Sequence, residues 1–547
     1  MSTETLSLTP KEGESPITSS STNSLNFDTL LTKIGFGRYQ IRVYSMMGTL
    51  ALAEGASIMS FTLMLPILSH QWNVSDFVNS LQASLIFISF LIGSVLSGQF
   101  SDRYGRRKPC LYSSFFMALL SFVSIFSPNI LTLIILRILI ALLVGFFGPL
   151  GATLITELTP KSVRGKFMAL LTMSMVIGEL YGALVAYFVL DSLTDGNWRL
   201  LIFFGAIPGV IAWVVGYLYL LESPRYLLLT GKMEEAFDII GRIDKVNGGK
   251  GWKKEEDEEK VRVWCQEIGG SHDKEKASVK ALFQNNRGKV TLCLWFNWFA
   301  SSFVYYGIIV FLPYILEKIP NTIPEQQFIE LPTQNSTISY RFLENSEQFA
   351  LNSSSYLIDS SSLLNSSSFE HSLMNETTGS AHHNNDTVSD IMKIFLSTAV
   401  EIGGVALSAT LIDIKSFGRK NSMIIFYTFG ALVTVLVYLE KASSFIFLAT
   451  LARFFMSITF IFCFQYTSEV YPTQIRTTGI GLANGLGRIG GVLMPWVCVG
   501  LVQIELYSPF LFFGGLCALA AVTSFLLPFD TTGKDLDGGK EEKEIIK

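Results

Sequence analysis

The stretch EVYPTQIRTT, residues 469–478, places an acid, a proline and an arginine at fixed steps between two long apolar runs. A second copy of this pattern, ELTPKSVRGK, occupies residues 157–166. In both copies the acid precedes the arginine by seven positions, and the copies lie 312 positions apart (469 minus 157). A charged pattern that recurs at this separation indicates that the chain consists of two related halves.

The composition indicates that most of the chain lies in lipid. Of its 547 residues, 49% are hydrophobic and 16% are charged, and the mean hydropathy is +0.41. These values are too apolar for a soluble chain of this length. The net charge of −4 argues against nucleic-acid binding through a general positive field. The six cysteines are scattered without a C-x-x-C pair, so neither a zinc site nor a disulfide framework is expected.

Twelve apolar runs are long enough to cross about 30 Å of hydrocarbon, which takes roughly 20 helical residues. Because helices satisfy their own backbone N–H and C=O groups in lipid, the runs predict an all-α membrane protein with twelve transmembrane helices. An even number of spans puts both termini on one side of the membrane. The predicted spans are 44–69, 77–100, 109–127, 130–155, 167–190, 198–221, 289–316, 391–412, 421–439, 444–468, 477–503 and 508–528.

The runs form two groups of six, and the segments between them differ in composition. An N-terminal bundle at 44–221 is joined to a C-terminal bundle at 289–528 by a linker at 222–288, which is rich in Lys and Glu and carries amphipathic stretches. The second bundle is interrupted by a long polar loop at 317–390. Its loose recurrence of an apolar residue, then Asn or Asp, then Ser, leaves two alternatives, a low-complexity loop or a small solenoid of strands.

Two independent signs predict the orientation. The short loops on the side of the termini carry eleven Lys and Arg residues against two on the other side, which places the termini in the cytoplasm. The tails at 1–43 and 529–547 are therefore cytoplasmic, and the first is expected to be disordered. All six N-x-[ST] sequons fall on the opposite side, where glycosylation takes place. They are Asn73, Asn335, Asn352, Asn365, Asn375 and Asn385.

Further landmarks recur at nearly the same separation. SDRYGRRK at 101–108 is repeated as IDIKSFGRK at 412–420, and the glycines of the two copies are 313 positions apart. Arg137 and Arg453, each inside an apolar run, are 316 apart. Such a parallel repeat predicts two pseudo-symmetric six-helix bundles about an axis along the membrane normal, with a binding site between them near mid-membrane.

These motifs resemble those of a known family. SDRYGRRK, the paired E-x-x-P-x-x-x-R motifs and ESPRYLL at 222–228 resemble the signatures of the major facilitator superfamily. IGFGRYQ, LWFNWFASSFVYYG and YTSEVYPTQIRTTGIG are similar to its synaptic-vesicle-glycoprotein-related branch, which also contains nicotinate and organic-ion porters. The resemblance covers about residues 34–533. It implies the major facilitator fold and transport by alternating access.

The resemblance also implies an inner gate at the cytoplasmic helix ends. When such a transporter faces outward, acids and arginines at these ends can pair across helices in a partly desolvated setting, where they hold more strongly than on an open surface. The alternative is that these charges only set the topology and cap helices. The residues assigned to the inner gate are Asp102, Arg106, Glu157, Arg164, Glu222, Arg419, Glu469 and Arg476.

Ionisable residues inside the runs cost a few kcal/mol to insert, so they are expected to face a cavity or a partner. Glu54 and Glu401 coincide with acids of the resembling branch, whereas Glu179 lies one turn before that branch's fifth-helix acid. Because burial favours the proton-bound form of a carboxyl group, Glu54 and Glu401 can exchange a proton for a cationic solute. The alternative is a permanent ion pair of either acid with an arginine. The candidates for substrate or proton coupling are Glu54, Glu401, Glu179, Arg137 and Arg453.

Aromatic side chains in the seventh run are candidates for substrate binding. Trp295, Trp298, Tyr305 and Tyr306 can stack on a flat or cationic solute. The alternative is that they pack against neighbouring helices or lipid.

The sequence lacks phosphate-loop, kinase, serine-hydrolase and H-E-x-x-H signatures, so we expect neither an enzyme nor a cofactor or metal site. Without a nucleotide motif, transport is secondary or facilitative. We predict a monomeric transporter of a small charged organic solute, with proton coupling, that contacts membrane lipid and no nucleic acid. Its location is the plasma membrane or a vesicle membrane. The alternative is a transporter-like glycoprotein that acts as a receptor or regulator through its large loop.

Overall fold

A computed structural model of the chain describes residues 27–249, 251–270, 279–284, 287–318, 368–411, 414, 417–440, 444–471 and 475–531. These residues form sixteen α-helices and one short 3-10 helix, and they contain no strand. The all-α fold class predicted from the apolar runs is therefore confirmed.

Six long helices form the first bundle. Polar side chains cap several of them, as when Asn129 accepts a hydrogen bond from Thr132 N (2.9 Å) and Asn197 accepts one from Leu200 N (3.2 Å). The six helices are α2 (Arg38–Trp72), α3 (Asp76–Tyr104), α4 (Arg107–Ser124), α5 (Ile130–Leu158), α6 (Lys161–Val189) and α7 (Trp198–Tyr219).

A short helix precedes this bundle and packs on the linker. Helix α1 (Phe27–Ile34) contacts the linker through Lys33, whose Nζ lies 2.7 Å from Asp257 Oδ2. Asn247 at the end of a linker helix accepts a hydrogen bond from Tyr39 N at 3.0 Å. The disorder expected for 1–43 is therefore wrong for its last seventeen residues, because apolar residues of α1 such as Phe27 are buried against the linker. The linker elements are α8 (Pro224–Leu229), α9 (Met233–Asn247), α10 (Lys254–Gly270) and the 3-10 helix Val279–Phe283.

The second bundle repeats the packing of the first. Each main helix contact in the first bundle (α2 with α6 and α7, α3 with α5, α4 with α5 and α7) has a counterpart at the equivalent position in the second. The two bundles meet at α3 against α15 and at α6 against α12, which are also exchanged by the pseudo-symmetry. The helices are α11 (Gly288–Lys318), α12 (Ser368–Leu411), α13 (Arg419–Glu440), α14 (Phe445–Val470), α15 (Arg476–Ile504) and α16 (Ser508–Phe525).

In the described residues, eleven helices rather than twelve are long and apolar enough to cross a membrane. The exception is α4, at the expected span 109–127, because its eighteen residues begin with two basic residues and include several serines. The hydroxyls of Ser113 and Ser114 donate to carbonyl oxygens of the same helix at 3.0 Å, so they are satisfied without water. Phe115 and Phe116 are exposed, as lipid-facing residues would be. We therefore assign α4 to the membrane as well.

Glycine allows the closest helix contacts in both bundles. A Cβ atom on Gly178 of α6 would collide with the carbonyl oxygen of Leu52 on α2. At the equivalent contact in the second bundle, a Cβ atom on Gly490 of α15 would collide with the carbonyl oxygen of Phe299 on α11. Small residues at these positions bring the backbones together, as is typical of helices packed in lipid.

Candidate functional site

The bundles are in contact at one end of the α3–α15 interface. Ser84 on α3 donates to the carbonyl oxygen of Val492 (2.6 Å), and Trp496 Nε1 donates to Ser84 Oγ (2.8 Å). On the same side, His70 Nε2 of α2 lies 3.9 Å from Glu317 Oε1 of α11. This side lies opposite the arginine-rich turns that contain Gly105 and Gly418.

At the other end of the same interface the helices are apart. Gln99 on α3 and Gly481 on α15 are exposed, and a Cβ atom built on Gly98 or Gly481 meets no atom within 4 Å. The α3–α15 interface is therefore closed at one end and open at the end that lies next to the arginine-rich turns.

A buried group of charges connects the two bundles at mid-membrane. Arg453 on α14 donates through Nε to Glu401 Oε2 of α12 (2.7 Å) and through Nη1 to Thr398 Oγ1 (3.1 Å). Its Nη2 donates to Glu179 Oε2 of α6, which belongs to the other bundle. The side chains of all three charged residues are at most 1% exposed, so water screens these ion pairs very little. We call Glu179, Glu401 and Arg453 the central triad.

A tyrosine hydroxyl lies beside both acids of the central triad. Tyr305 on α11 donates to Glu401 Oε1 at 2.6 Å and lies 3.3 Å from Glu179 Oε1. Its hydroxyl proton can be given to only one of these carboxylates at a time. The two acids therefore share one arginine and one hydroxyl donor, and the pairing links the two bundles.

Small residues place the members of the central triad within reach of one another. Gly404 on α12 lies close to Ser457 and to the backbone of Phe454 on α14, and this contact draws Glu401 and Arg453 together. Gly178, next to Glu179, lets α6 approach α2 closely. The contacts at these glycines join segments far apart in the chain, and they decide which charges meet.

Glu54 on α2 occupies a different position from Glu401. It lines a cavity of about 40 Å³ between the bundles, together with Phe61, Phe87, Tyr306 and other apolar residues. Among the described residues, Glu54 makes no hydrogen bond or ion pair at contact distance, and Arg488 acts on it only as a neighbouring charge. The structure therefore separates the two predicted coupling acids into a paired one, Glu401, and an unpaired one, Glu54.

The remaining membrane arginines are bound differently from Arg453. Arg488 on α15, which the candidate list did not include, donates to the Tyr306 hydroxyl (2.9 Å) and lies 5.0 Å from the centre of the Phe90 ring. Within the part of the chain that the structure describes, Arg137 on α5 has only the weak acceptor Met64 Sδ at 3.9 Å, although it is 95% buried. Its position inside an apolar run was the signal that identified it.

The four aromatic candidates divide into two pairs. Tyr305 and Tyr306 lie at the centre between the bundles, where they contact the charged residues. Trp298 packs inside the second bundle and donates to Thr467 Oγ1 at 2.9 Å. Trp295 packs with its ring centre 5.4 Å from that of Phe283 in the 3-10 helix. Both tryptophans therefore pack against other side chains of the protein, which corresponds to the alternative that these aromatic residues pack against neighbouring helices.

Four of the five inner-gate candidates of the first bundle, all except Arg164, form one cluster. Arg106 at the start of α4 lies 3.3 Å from Glu157 Oε2 and 3.2 Å from Asp102 Oδ1. Glu222 Oε1 accepts hydrogen bonds from the backbone N–H groups of Arg106 (2.6 Å) and Arg107 (3.1 Å), and so caps α4. Gly105 forms the turn before α4 with φ of +88°, a conformation that favours glycine.

The second bundle repeats this cluster with one residue that the sequence analysis missed. Arg419 Nε lies 3.1 Å from Glu469 Oε2. Asp530 accepts from the backbone N–H groups of Arg419 (3.2 Å) and Lys420 (2.8 Å), just as Glu222 does in the first bundle. Asp530 lies 308 positions after Glu222, a separation close to the 312 or 313 positions between the copies of the other motifs. A search for the counterpart of Glu222 at this separation could therefore have found Asp530.

In the open arrangement these inner-gate pairs lie within each bundle. The side chains of Arg164 and Arg476 lie outside the described part of the chain.

Of the predicted glycosylation sites, Asn73 is exposed at the end of α2, whereas Asn335, Asn352 and Asn365 lie outside the described residues. Asn375 and Asn385 belong to α12, but their side chains are not among those described.

The sequence profile of the major facilitator superfamily matches residues 47–320 and 373–546, which is most of the chain. The chain belongs to the major facilitator superfamily. Among its relatives, organic cation/carnitine transporter 7 of Arabidopsis thaliana is 29% identical over 543 residues, covering 93% of this chain and 95% of the relative. Synaptic vesicle 2-related protein of Rattus norvegicus is 26% identical over 506 residues, covering 92% and 80%.

A solved structure of this superfamily shares the fold. The xylose transporter XylE from E. coli in an inward-open conformation matches with a TM-score of 0.62 and 19% identity, over 92% of this chain and 98% of that one. This superfamily member is therefore an integral, multi-pass membrane protein of the branch that the motifs indicated. It is a transporter of a small solute by alternating access.

Proposed function

We propose that this superfamily member is a proton-coupled transporter of a small organic cation. The observation that carries the proposal is Glu54, a carboxylate without a contact partner among the described residues, in a cavity lined by aromatic rings. A charge in the membrane interior must be neutralised by a counter-charge or by a proton. Glu54 can therefore alternate between a cationic solute and a proton.

The lining of the cavity suits an organic cation. Phe61, Phe87, Phe90 and Tyr306 line the same cavity as the carboxylate, and aromatic faces attract alkylammonium groups that water solvates weakly. The relative from Arabidopsis thaliana is an organic cation/carnitine transporter by name, which supports the same class of solute. The volume of about 40 Å³ is enough for only a few water molecules, so a solute must bind together with a movement of the bundles.

The central triad provides a physical link between proton binding and that movement. Arg453 holds Glu401 within its own bundle and Glu179 from the other bundle. A proton on either carboxylate removes a charge from the triad and weakens its hold on the arginine, so the link between the bundles depends on protonation. We assign the coupling of protonation to bundle movement to Glu179, Glu401 and Arg453. We assign the cation site to Glu54 and Tyr306, with Glu54 binding the cation and a proton in turn.

We also propose an inner gate, a membrane orientation, and an oligomeric state and location, as predicted from the sequence. The clusters around Arg106 and Arg419, with Arg164 and Arg476, form the inner gate. Both termini and the linker at 222–288 lie in the cytoplasm. The segment 317–390, which includes the first part of α12, carries sugar. The protein acts as a monomer in the plasma membrane or a vesicle membrane.

The test is uptake of radiolabelled choline and tetraethylammonium into proteoliposomes, with and without an imposed pH gradient. We expect wild-type uptake to rise at least several-fold when the gradient is present. Glu54→Gln should abolish uptake of both cations, because it removes the counter-charge in the cavity. Glu440→Gln, at the exposed end of α13, is the matched control and should transport normally.

Exchange of labelled for unlabelled choline without a gradient separates binding from coupling. Glu179→Gln and Glu401→Gln should retain exchange and lose the stimulation by the gradient. Normal gradient-driven uptake in Glu54→Gln would exclude this residue as the cation site. Uptake of neither cation by the wild type, together with binding of a partner to the isolated 317–390 loop, would favour the receptor alternative.

A further inference from the structure

We propose that the solute is a zwitterion, an organic cation that also bears a carboxylate, and that Arg137 binds this carboxylate. The inference rests on the proposed function, because it adds a second charged contact to the cavity that contains Glu54. Arg137 and Glu54 line the same cavity, yet they are not paired with each other within 4.0 Å. Two opposite charges that face one cavity and do not neutralise each other form a site for a solute with two opposite charges.

The contacts of Arg137 show why an anion is required. The side chain is 95% buried. Among the described residues its Nε has no hydrogen-bond partner, and its only polar contact is a thioether sulfur at 3.9 Å. A buried guanidinium without an anion is costly in a membrane interior. By comparison, Arg453 has two carboxylates and Arg488 has a tyrosine hydroxyl and a phenyl ring.

Hydroxyl groups near Arg137 also lack partners. The Thr62 hydroxyl in the cavity shared with Glu54 is buried and makes no hydrogen bond to any residue that the structure describes. Ser60 has the same unpaired hydroxyl in a second cavity, of about 20 Å³, which Arg137 also lines between α2, α4, α5 and α7. Hydroxyl donors beside a guanidinium can complete the hydrogen bonding of a carboxylate, which accepts at two oxygens.

The charges of the cavity also select against a simple cation. Arg137 repels an ammonium group that binds at Glu54, and a carboxylate on the same solute replaces this repulsion by an ion pair. An aromatic-lined cavity with a carboxylate at one position and a guanidinium at another therefore favours organic ammonium compounds that also carry a carboxylate.

The test compares matched pairs of solutes that differ only in the carboxylate. Glycine betaine is compared with choline, and γ-butyrobetaine with its methyl ester, as inhibitors of uptake and as labelled substrates in proteoliposomes. In the wild type, each zwitterion should bind at least about tenfold more tightly than its matched cation, as expected for a hydrogen-bonded ion pair with a charged group.

Substitutions then assign this preference to Arg137. Arg137→Gln should remove the preference or reverse it, because it removes both the partner of the carboxylate and the repulsion of the cation. Arg137→Lys keeps the charge and should retain part of the preference, which guards against loss of folding as the explanation. Arg42→Gln, at the exposed start of α2, should leave the preference unchanged.

The outcomes separate this inference from the proposed function. Uptake of choline without uptake or binding of either zwitterion would overturn the inference and leave the cation transporter standing. Failure of all four compounds would overturn both. A preference for zwitterions that survives in Arg137→Gln would exclude Arg137 as the carboxylate site.

A chloride ion is the other anion that Arg137 could bind. Uptake is therefore repeated with gluconate in place of chloride. If choline uptake in the wild type depends on chloride, and Arg137→Gln removes that dependence, the anion is chloride and the zwitterion inference is wrong. We expect uptake of the zwitterions to be the same in both media.

Discussion

Replacing Glu179 by glutamine should weaken the link between the two bundles and change the conformational equilibrium of the transporter. Glu179 is the member of the central triad that belongs to the first bundle, and Arg453 and Glu401 both belong to the second. Glutamine keeps the shape and one oxygen acceptor but removes the charge. The matched variant Glu401→Gln removes a charge from the same arginine within one bundle, so it should disturb the link less.

The magnitude follows from the contacts that remain. Removing one partner of a buried ion pair costs about 3–5 kcal/mol when the other charge is left alone. In Glu179→Gln, Arg453 keeps Glu401 at 2.7 Å and Thr398 at 3.1 Å, so the loss is that of one charged hydrogen bond, about 1.5–3 kcal/mol. This free energy corresponds to a change of roughly 10- to 150-fold in the equilibrium between conformations.

The assay is a spin-label distance measurement between the open ends of α3 and α15. Labels are attached at Gln99→Cys and Gly481→Cys, which are exposed positions in different bundles. Cys265 is first replaced by serine, because it is the only cysteine in the described residues that is not buried. Glu179→Gln should shift the distance distribution towards shorter separations, because it destabilises the arrangement in which the triad is formed. An unchanged distribution in a monodisperse, folded variant would refute the role of Glu179 as a link between the bundles.

Two further predictions concern stability and topology. Asp530→Asn should lower the free energy of unfolding by about 0.5–2 kcal/mol, because the Asp530 carboxylate caps α13 through Arg419 N and Lys420 N. Thermal unfolding in detergent measures this change. It should show a similar decrease for Glu222→Gln but none for the control Glu235→Gln, whose side chain is exposed. In a eukaryotic host, endoglycosidase should shift the gel mobility of the protein through the 317–390 loop, and an epitope in the 222–288 linker that is accessible from outside intact cells would show that the orientation is wrong.

The sequence by itself determined the membrane class, the number of halves and the superfamily. Long apolar runs can be satisfied in lipid only as helices, and a repeat of charged motifs at 312 or 313 positions reports a repeat of structure, so neither conclusion needs coordinates. The cost of burying a charge also identified Glu54, Glu179, Glu401 and Arg453 as residues that need a partner or a cavity.

Only the tertiary structure decided which partner each charge has. The insertion cost of a charge is the same whatever neutralises it, so the sequence could not separate the paired Glu401 from the unpaired Glu54. Pairing depends on the rotation of each helix about its axis and on the close contacts at glycines such as Gly404, which are set by packing between segments far apart in the chain. The same packing placed Trp298 inside the second bundle, because helix contacts join residues that no local pattern relates.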